Sequence, residues 1–193
     1  MPATSRSSIS RTPMNNRHII ITGDASDDFR ATAASLRHNG VTVTIGSYTD
    51  SSDDIPVTSF LIVARFAPGM EWGTWWERDA HNRDAFETVL PHLAPSSNGI
   101  LLGLSATTVR SERAEIRAGM GSLLHRFQAR AAERGIDFSM NGIELPVGYD
   151  QDLLGRRLSE HAARRSVLAN EAIVRFEDLT GQTIAQAMTT DFI

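Results

Sequence analysis

Nineteen basic residues that are all arginine, six histidines and no cysteine set the limits on what chemistry this chain can perform. Without lysine it has no Walker A phosphate loop, no Schiff-base amine and no ammonium to lower a neighbouring phenol's pKa. Without cysteine, disulfides, thiolate metal sites and thiol nucleophiles are excluded. The histidines (His18, His38, His81, His92, His125 and His161) show no His-Glu-x-x-His or related ligand spacing, so no metal site is expected. No Gly-x-Ser-x-Gly elbow points to a hydrolase. Arginines, carboxylates and hydroxyls remain. Gly23 is followed by Asp24, Asp27, Asp28 and then Phe29. Arg113 and Arg117 stand four apart, on one face of any helix that contains both.

The elements that position these groups follow from hydrophobic periodicity. The 193 residues, 41% hydrophobic and 22% charged with a net charge of −4, fit one soluble domain. Mild acidity argues against a nucleic-acid partner, and no apolar run approaches the ~20 residues that span a bilayer. Residues 1–17 are rich in Ser, Arg, Thr, Pro and Asn and read as a disordered tail without a signal-peptide core. The expected location is cytoplasmic. One domain is expected over 18–193. Strands are predicted at His18–Gly23, Val41–Ile45, Phe60–Val63 and Gly99–Leu104. A fifth begins at Ile136-Asp137-Phe138, and a sixth spans Thr183–Met188. Helices are predicted over Asp27–His38, Glu71–Leu93, Glu112–Arg134 and Asp150–Ala172. Such alternation implies an α/β, Rossmann-like doubly wound parallel sheet of about six strands, covered on both faces.

Several segments together resemble the short-chain dehydrogenase/reductase family over roughly residues 18–190. They are Ile20-Ile21-Thr22-Gly23, Leu90-Pro91-His92-Leu93 with Gly99-Ile100-Leu101-Leu102, Ala129-Arg130-Ala131-Ala132-Glu133-Arg134-Gly135-Ile136, and Leu179-Thr180-Gly181-Gln182-Thr183-Ile184. The resemblance implies that the family's usual third strand, an edge strand, is deleted between Ile45 and Phe60. It also implies loss of function. The family's Thr-Gly-x-x-x-Gly-x-Gly turn falls on Thr22 to Phe29, with Asp27 and Phe29 in place of both later glycines. Gly23, Asp24, Asp27, Asp28 and Phe29 thus form a degenerate loop in which bulk and negative charge oppose a pyrophosphate. Ser47 and Tyr48 stand where the family selects its cofactor. Ala106 replaces the catalytic serine, with Ser105 one position early, and Arg113 and Arg117 replace the Tyr-x-x-x-Lys pair.

No cofactor is therefore expected, and nicotinamide-dependent redox chemistry is ruled out on this reading. The resemblance implies a non-catalytic pseudoenzyme that acts as a structural or regulatory subunit. It would pair with itself or with an active family member through helices 71–93 and 112–134. Trp75, Phe86, Leu90, Leu123, Leu124 and Phe127 are the candidate interface residues. The alternative is a cofactor-independent cyclase, dehydratase or isomerase of bacterial specialised metabolism. Its cleft would use Ser105, Arg113 and Arg117, with a base from His81, Glu144 or Asp150. A small-molecule sensor using the same cleft is a third reading.

Overall fold

A computed structural model describes residues 17–23, 29–46, 57–69, 80–162 and 170–190. Asp24, Asp27, Asp28, Ser47, Tyr48 and Trp75 lie outside these residues, as does the side chain of His81. Six strands form one parallel sheet: β1 (His18–Gly23), β2 (Thr42–Ile45), β3 (Val57–Phe66), β4 (Leu93–Ser105), β5 (Ser139–Pro146) and β6 (Ile173–Arg175). Their spatial order is β2-β1-β3-β4-β5-β6. The expected doubly wound parallel sheet of six strands is what the protein forms. β1 is the switch point, because β2 lies on one side of it and β3 on the other.

Among the described residues, five α-helices cover the two faces. They are α1 (Arg30–His38), α2 (Ala80–Val89), α3 (Arg110–Glu133), α4 (Gln151–Ala162) and α5 (Ile184–Thr190). Alternation along each strand decides which helix meets which side chains. Ile19, Ile21, Leu61, Val63, Ile100, Leu102, Ile143 and Leu145 face α1, α4 and α5. Ile20, Phe60, Ile62, Leu101 and Met140 face α2 and α3. This second layer centres on Phe86, which meets Phe127 edge-on with centroids 4.7 Å apart and also touches Phe60 and Phe138. In the first layer Gly155 lets α4 lie against α1, since a Cβ there would come within 2.6 Å of Ser35.

Several boundaries differ from expectation, for identifiable reasons. Thr183–Met188, read as a strand, belongs to α5. The Gln186 amide N–H donates to Thr183 Oγ1, and the Thr183 N–H donates to Gln186 Oε1. This reciprocal capping box starts the helix and was present in the sequence as Thr-x-x-Gln. The sixth strand is instead Ile173–Arg175, three residues just beyond the predicted helix Asp150–Ala172 to which the sequence pattern assigns no element. The helix there is described over Gln151–Ala162. α1 begins at Arg30, with Phe29 at its N-cap. Among the described residues, no helix is long and apolar enough to cross a membrane.

β1 ends where the backbone needs glycine. Gly23 has φ +124°, and a Cβ there would sit 2.0 Å from the Val63 carbonyl oxygen on β3. A side chain is excluded by both conformation and space. Gly23→Ala is expected to lower unfolding free energy by about 2 kcal/mol or more, read from urea denaturation. Gly135→Ala, where φ is +68° but nothing lies within 4 Å, should cost about 1 kcal/mol. Equal losses at the two positions would mean that the β1–β3 contact is not the constraint described.

Candidate functional site

Central strands of this sheet are sealed on both faces, so polar side chains gather where the strands end. At the carboxyl edge β4 finishes at Ser105, opposite Pro146 at the end of β5. The chain then enters α3 through a hydroxyl-built turn. The Thr107 N–H donates to Ser105 Oγ (3.3 Å), and the Val109 N–H donates to Thr107 Oγ1 (3.2 Å). The Thr107 hydroxyl in turn donates to the Glu112 carboxylate. Ser105 is buried and spent on this turn, as an oxygen that accepts a backbone N–H.

One turn into α3, Arg113 donates from Nε to Glu144 Oε1 on β5 at 2.6 Å. Glu144 is 4% exposed and Arg113 28%. The Glu144 hydrogen bond holds the Arg113 guanidinium above its ordinary pKa against the opposing effect of burial, with further support from the Glu144 and Glu177 charges. Arg113 is therefore a permanent cation. Its Nε is anchored, while its Nη fork makes no hydrogen bond to the described residues. Glu144 Oε2 is buried and also lacks a partner among them. Thr22 Oγ1 at the end of β1 and Gln151 Oε1 at the start of α4 share that condition, on the same edge of the sheet. Buried polar atoms left unpaired are uncommon, and functional sites are where they persist. Val109 (50% exposed) and Val147 (78%) are exposed apolar side chains on this edge.

The structure brings together Arg113 and Glu144 from the predicted set and places the others elsewhere. Arg117 points its guanidinium to the Ile173 carbonyl (2.5 Å), tying α3 to β6. Asp150 Oδ1 accepts the Leu153 N–H and caps α4. Phe29 is fully buried against Tyr149 (centroids 5.8 Å), which packs on Phe176 (5.7 Å), so its bulk belongs to the core. Phe86, Leu90, Leu123, Leu124 and Phe127 are at most 1% exposed inside the chain's own core. They are not open to a partner, because the helical stripe that suggested an interface is the stripe that covers the sheet. Glu177 and Val147 were missed, since nothing local distinguishes them. Glu144 carried a signal, as the only ionisable residue within the apolar strand Ser139–Pro146. Among the described residues, no group of His, Asp or Glu could hold a metal ion.

No known family profile matches the chain, and no curated protein matches its sequence. Similar solved structures include BdcA (YjgI) from E. coli, at 12% identity and TM-score 0.49, covering 84% of this chain and 98% of that one. A flavodoxin from the domain Archaea aligns at 12% identity and TM-score 0.40 over 77% of this chain and 99% of that one. The flavodiiron core of Flv1 from Synechocystis sp. PCC6803 aligns at 13% and 0.40 over 90% of this chain and 36% of that one.

The resemblance to short-chain dehydrogenases/reductases is corrected by these findings. Its four segments are short, and no family profile or curated sequence supports them. The strand order 2-1-3-4-5, extended by β6, is that of the flavodoxin-like class; the dinucleotide-binding order carries two strands beyond β1. The pseudoenzyme subunit and the repurposed-enzyme alternative, both built on that ancestry, fall with it. Flavodoxin-like sheets can seat a flavin at the β1/β3 switch point. Phe29 occupies the helix N-cap with no side-chain cap, and Asp24, Asp27 and Asp28, which precede it in the sequence, lie outside the described residues.

Removing one member of a buried pair strands the other's charge. Arg113→Ala is expected to destabilise the fold by about 2 kcal/mol, below the 3–5 kcal/mol of a fully buried pair because water screens Arg113. The double variant Arg113→Met/Glu144→Leu should regain most of that loss in urea denaturation. Additive losses would show that the pair is not the coupled unit described.

Proposed function

We propose that the protein is a small-molecule-binding α/β domain, with its ligand seat at the carboxyl edge of β4 and β5. Arg113 is the principal polar contact. The observation that carries this reading is a guanidinium fixed at Nε by a buried carboxylate while its Nη fork makes no hydrogen bond to the described residues. Open α/β sheets bind ligands outside the carboxyl ends of their strands. A fixed fork favours a planar carboxylate, which it meets with two parallel hydrogen bonds.

The neighbours narrow the ligand further. Val109, the N-cap of α3, lies one turn before Arg113, and Val147 follows β5 at the strand end opposite Ser105. Their exposure supports a ligand with an apolar body beside its carboxylate. Glu144 and Glu177 disfavour a second negative charge near Arg113. A monocarboxylate with an aliphatic or aromatic body satisfies all of these features. Glu144 acts through Arg113 as a positioning residue.

Titrating the protein with acetate, butyrate, octanoate and phenylacetate by calorimetry tests this. Affinity should rise along the aliphatic series by up to about 0.8 kcal/mol per buried methylene. Octanamide should bind at least tenfold more weakly than octanoate. Arg113→Gln should remove the preference for the acid while leaving the fold intact by circular dichroism. Equal binding of acid and amide by the native protein, or no saturable binding of any acid, would overturn the assignment.

A further inference from the structure

A second basic feature lies far from this edge. α3 carries Arg126, Ala129, Arg130 and Glu133 near its C-terminal end, about 20 to 30 Å along the helix from Arg113 at 1.5 Å per residue. Arg83 of α2 faces them, and together these five residues line a groove of about 300 Å³. Three cations and one carboxylate thus share one wall-to-wall concavity. Ala129 supplies the only uncharged side chain of the five and leaves the groove open.

The cations are ordered. Arg130 donates from Nε to Glu87 and from Nη1 to Glu133 (2.7 Å). Arg134 donates from Nη2 to the other Glu87 oxygen, also at 2.7 Å. Glu87 is 22% exposed and clasps two guanidiniums side by side. A clasp of this kind pre-organises arginines, so a ligand loses less side-chain entropy on binding. The Arg83 side chain, 41% exposed, contacts its neighbour Asp84 only loosely, at 3.7 Å.

We propose that the α2/α3 groove binds a phosphate-bearing polyanion, with Arg83, Arg126 and Arg130 as its ligands. Tetrahedral phosphate oxygens meet guanidiniums that converge from several directions, which one planar carboxylate does not. The Glu133 carboxylate occupies part of Arg130 and yields that donor to the ligand. This groove is independent of Arg113 and needs neither Glu144 nor the carboxylate reading above.

Inorganic pyrophosphate is the probe, followed by 31P line broadening and calorimetry on the full chain. Saturable binding is expected, weakening at least fivefold between 50 and 200 mM salt. Salt in this range screens the attraction between exposed guanidiniums and a small polyanion. Arg83→Gln/Arg126→Gln should weaken binding about tenfold, and Arg113→Gln should leave it unchanged. Glu133→Gln should tighten it about two- to threefold, a gain that misfolding cannot produce. The proposal is overturned by the absence of a saturable 31P response at millimolar pyrophosphate. Unchanged affinity in the double variant, or equal loss in Arg113→Gln, would overturn it as well.

Discussion

Burial of a parallel sheet on both faces is the constraint from which the rest of this molecule follows. Ile20, Ile21, Ile62, Val63, Leu101 and Ile143 are each fully enclosed, so the central strands have no face to offer water. Polar groups there would need partners that the strand interiors do not supply. Asn98 with Ser59 (2.8 Å) and Asn141 with the Ala172 N–H (3.0 Å) show the few that are admitted, each hydrogen-bonded within or beside the sheet. Chemistry is consequently pushed to the strand ends and to the outer helix surfaces. Both of the proposed binding features lie in those places.

How far the sequence revealed this depends on the range of the force involved. The β-branched run His18–Thr22 and the stripe Phe86, Val89, Leu90 report burial directly, because hydrophobic transfer acts on each side chain with little reference to partners. Local capping chemistry was equally legible, and Thr183 with Gln186 shows that a readable signal can still be passed over. β6 was not legible. Ile173–Arg175 is three residues long, too short for alternation to distinguish a strand from a helix end. What makes it a strand is pairing with Gly142–Glu144. The same holds for the site: Arg113 and Glu144 are 31 residues apart, and only the α3-to-β5 return brings them to 2.6 Å. The family resemblance failed for a related reason. Short Gly-, Ala- and Leu-rich turns recur wherever helices return to parallel strands, so they mark the architecture and leave ancestry open.

Glu144 shows why a strand residue of this kind persists. A carboxylate 4% exposed is costly, and one oxygen without a partner raises that cost. A leucine of similar reach would pack the α3 side of β5 at lower free energy. Retaining the acid makes physical sense if Arg113 has to be held. Arg113 occupies the fourth position of α3, where the helix N-terminus repels a cation. Without Glu144 the guanidinium would turn outward to water. With it, the side chain is fixed against both the dipole and burial.

The opposite end of α3 obeys the same electrostatics with the sign reversed. Cations are favoured in the last turn, so Arg130 and Arg134 need no ligand to explain them there. The dipole effect fades beyond that turn, and Arg126 lies two turns from the helix end. Arg83 belongs to a different helix altogether. Neither gains from the dipole of α3, yet both line the groove that contains Arg130. Glu87 tightens the point. As a plain surface carboxylate it would contribute little, but it spans Arg130 and Arg134 with separate oxygens and holds their forks in place. A helix that merely satisfied its own termini would not recruit an arginine from its neighbour. Convergence from two helices is the feature that distinguishes a binding groove from ordinary surface charge.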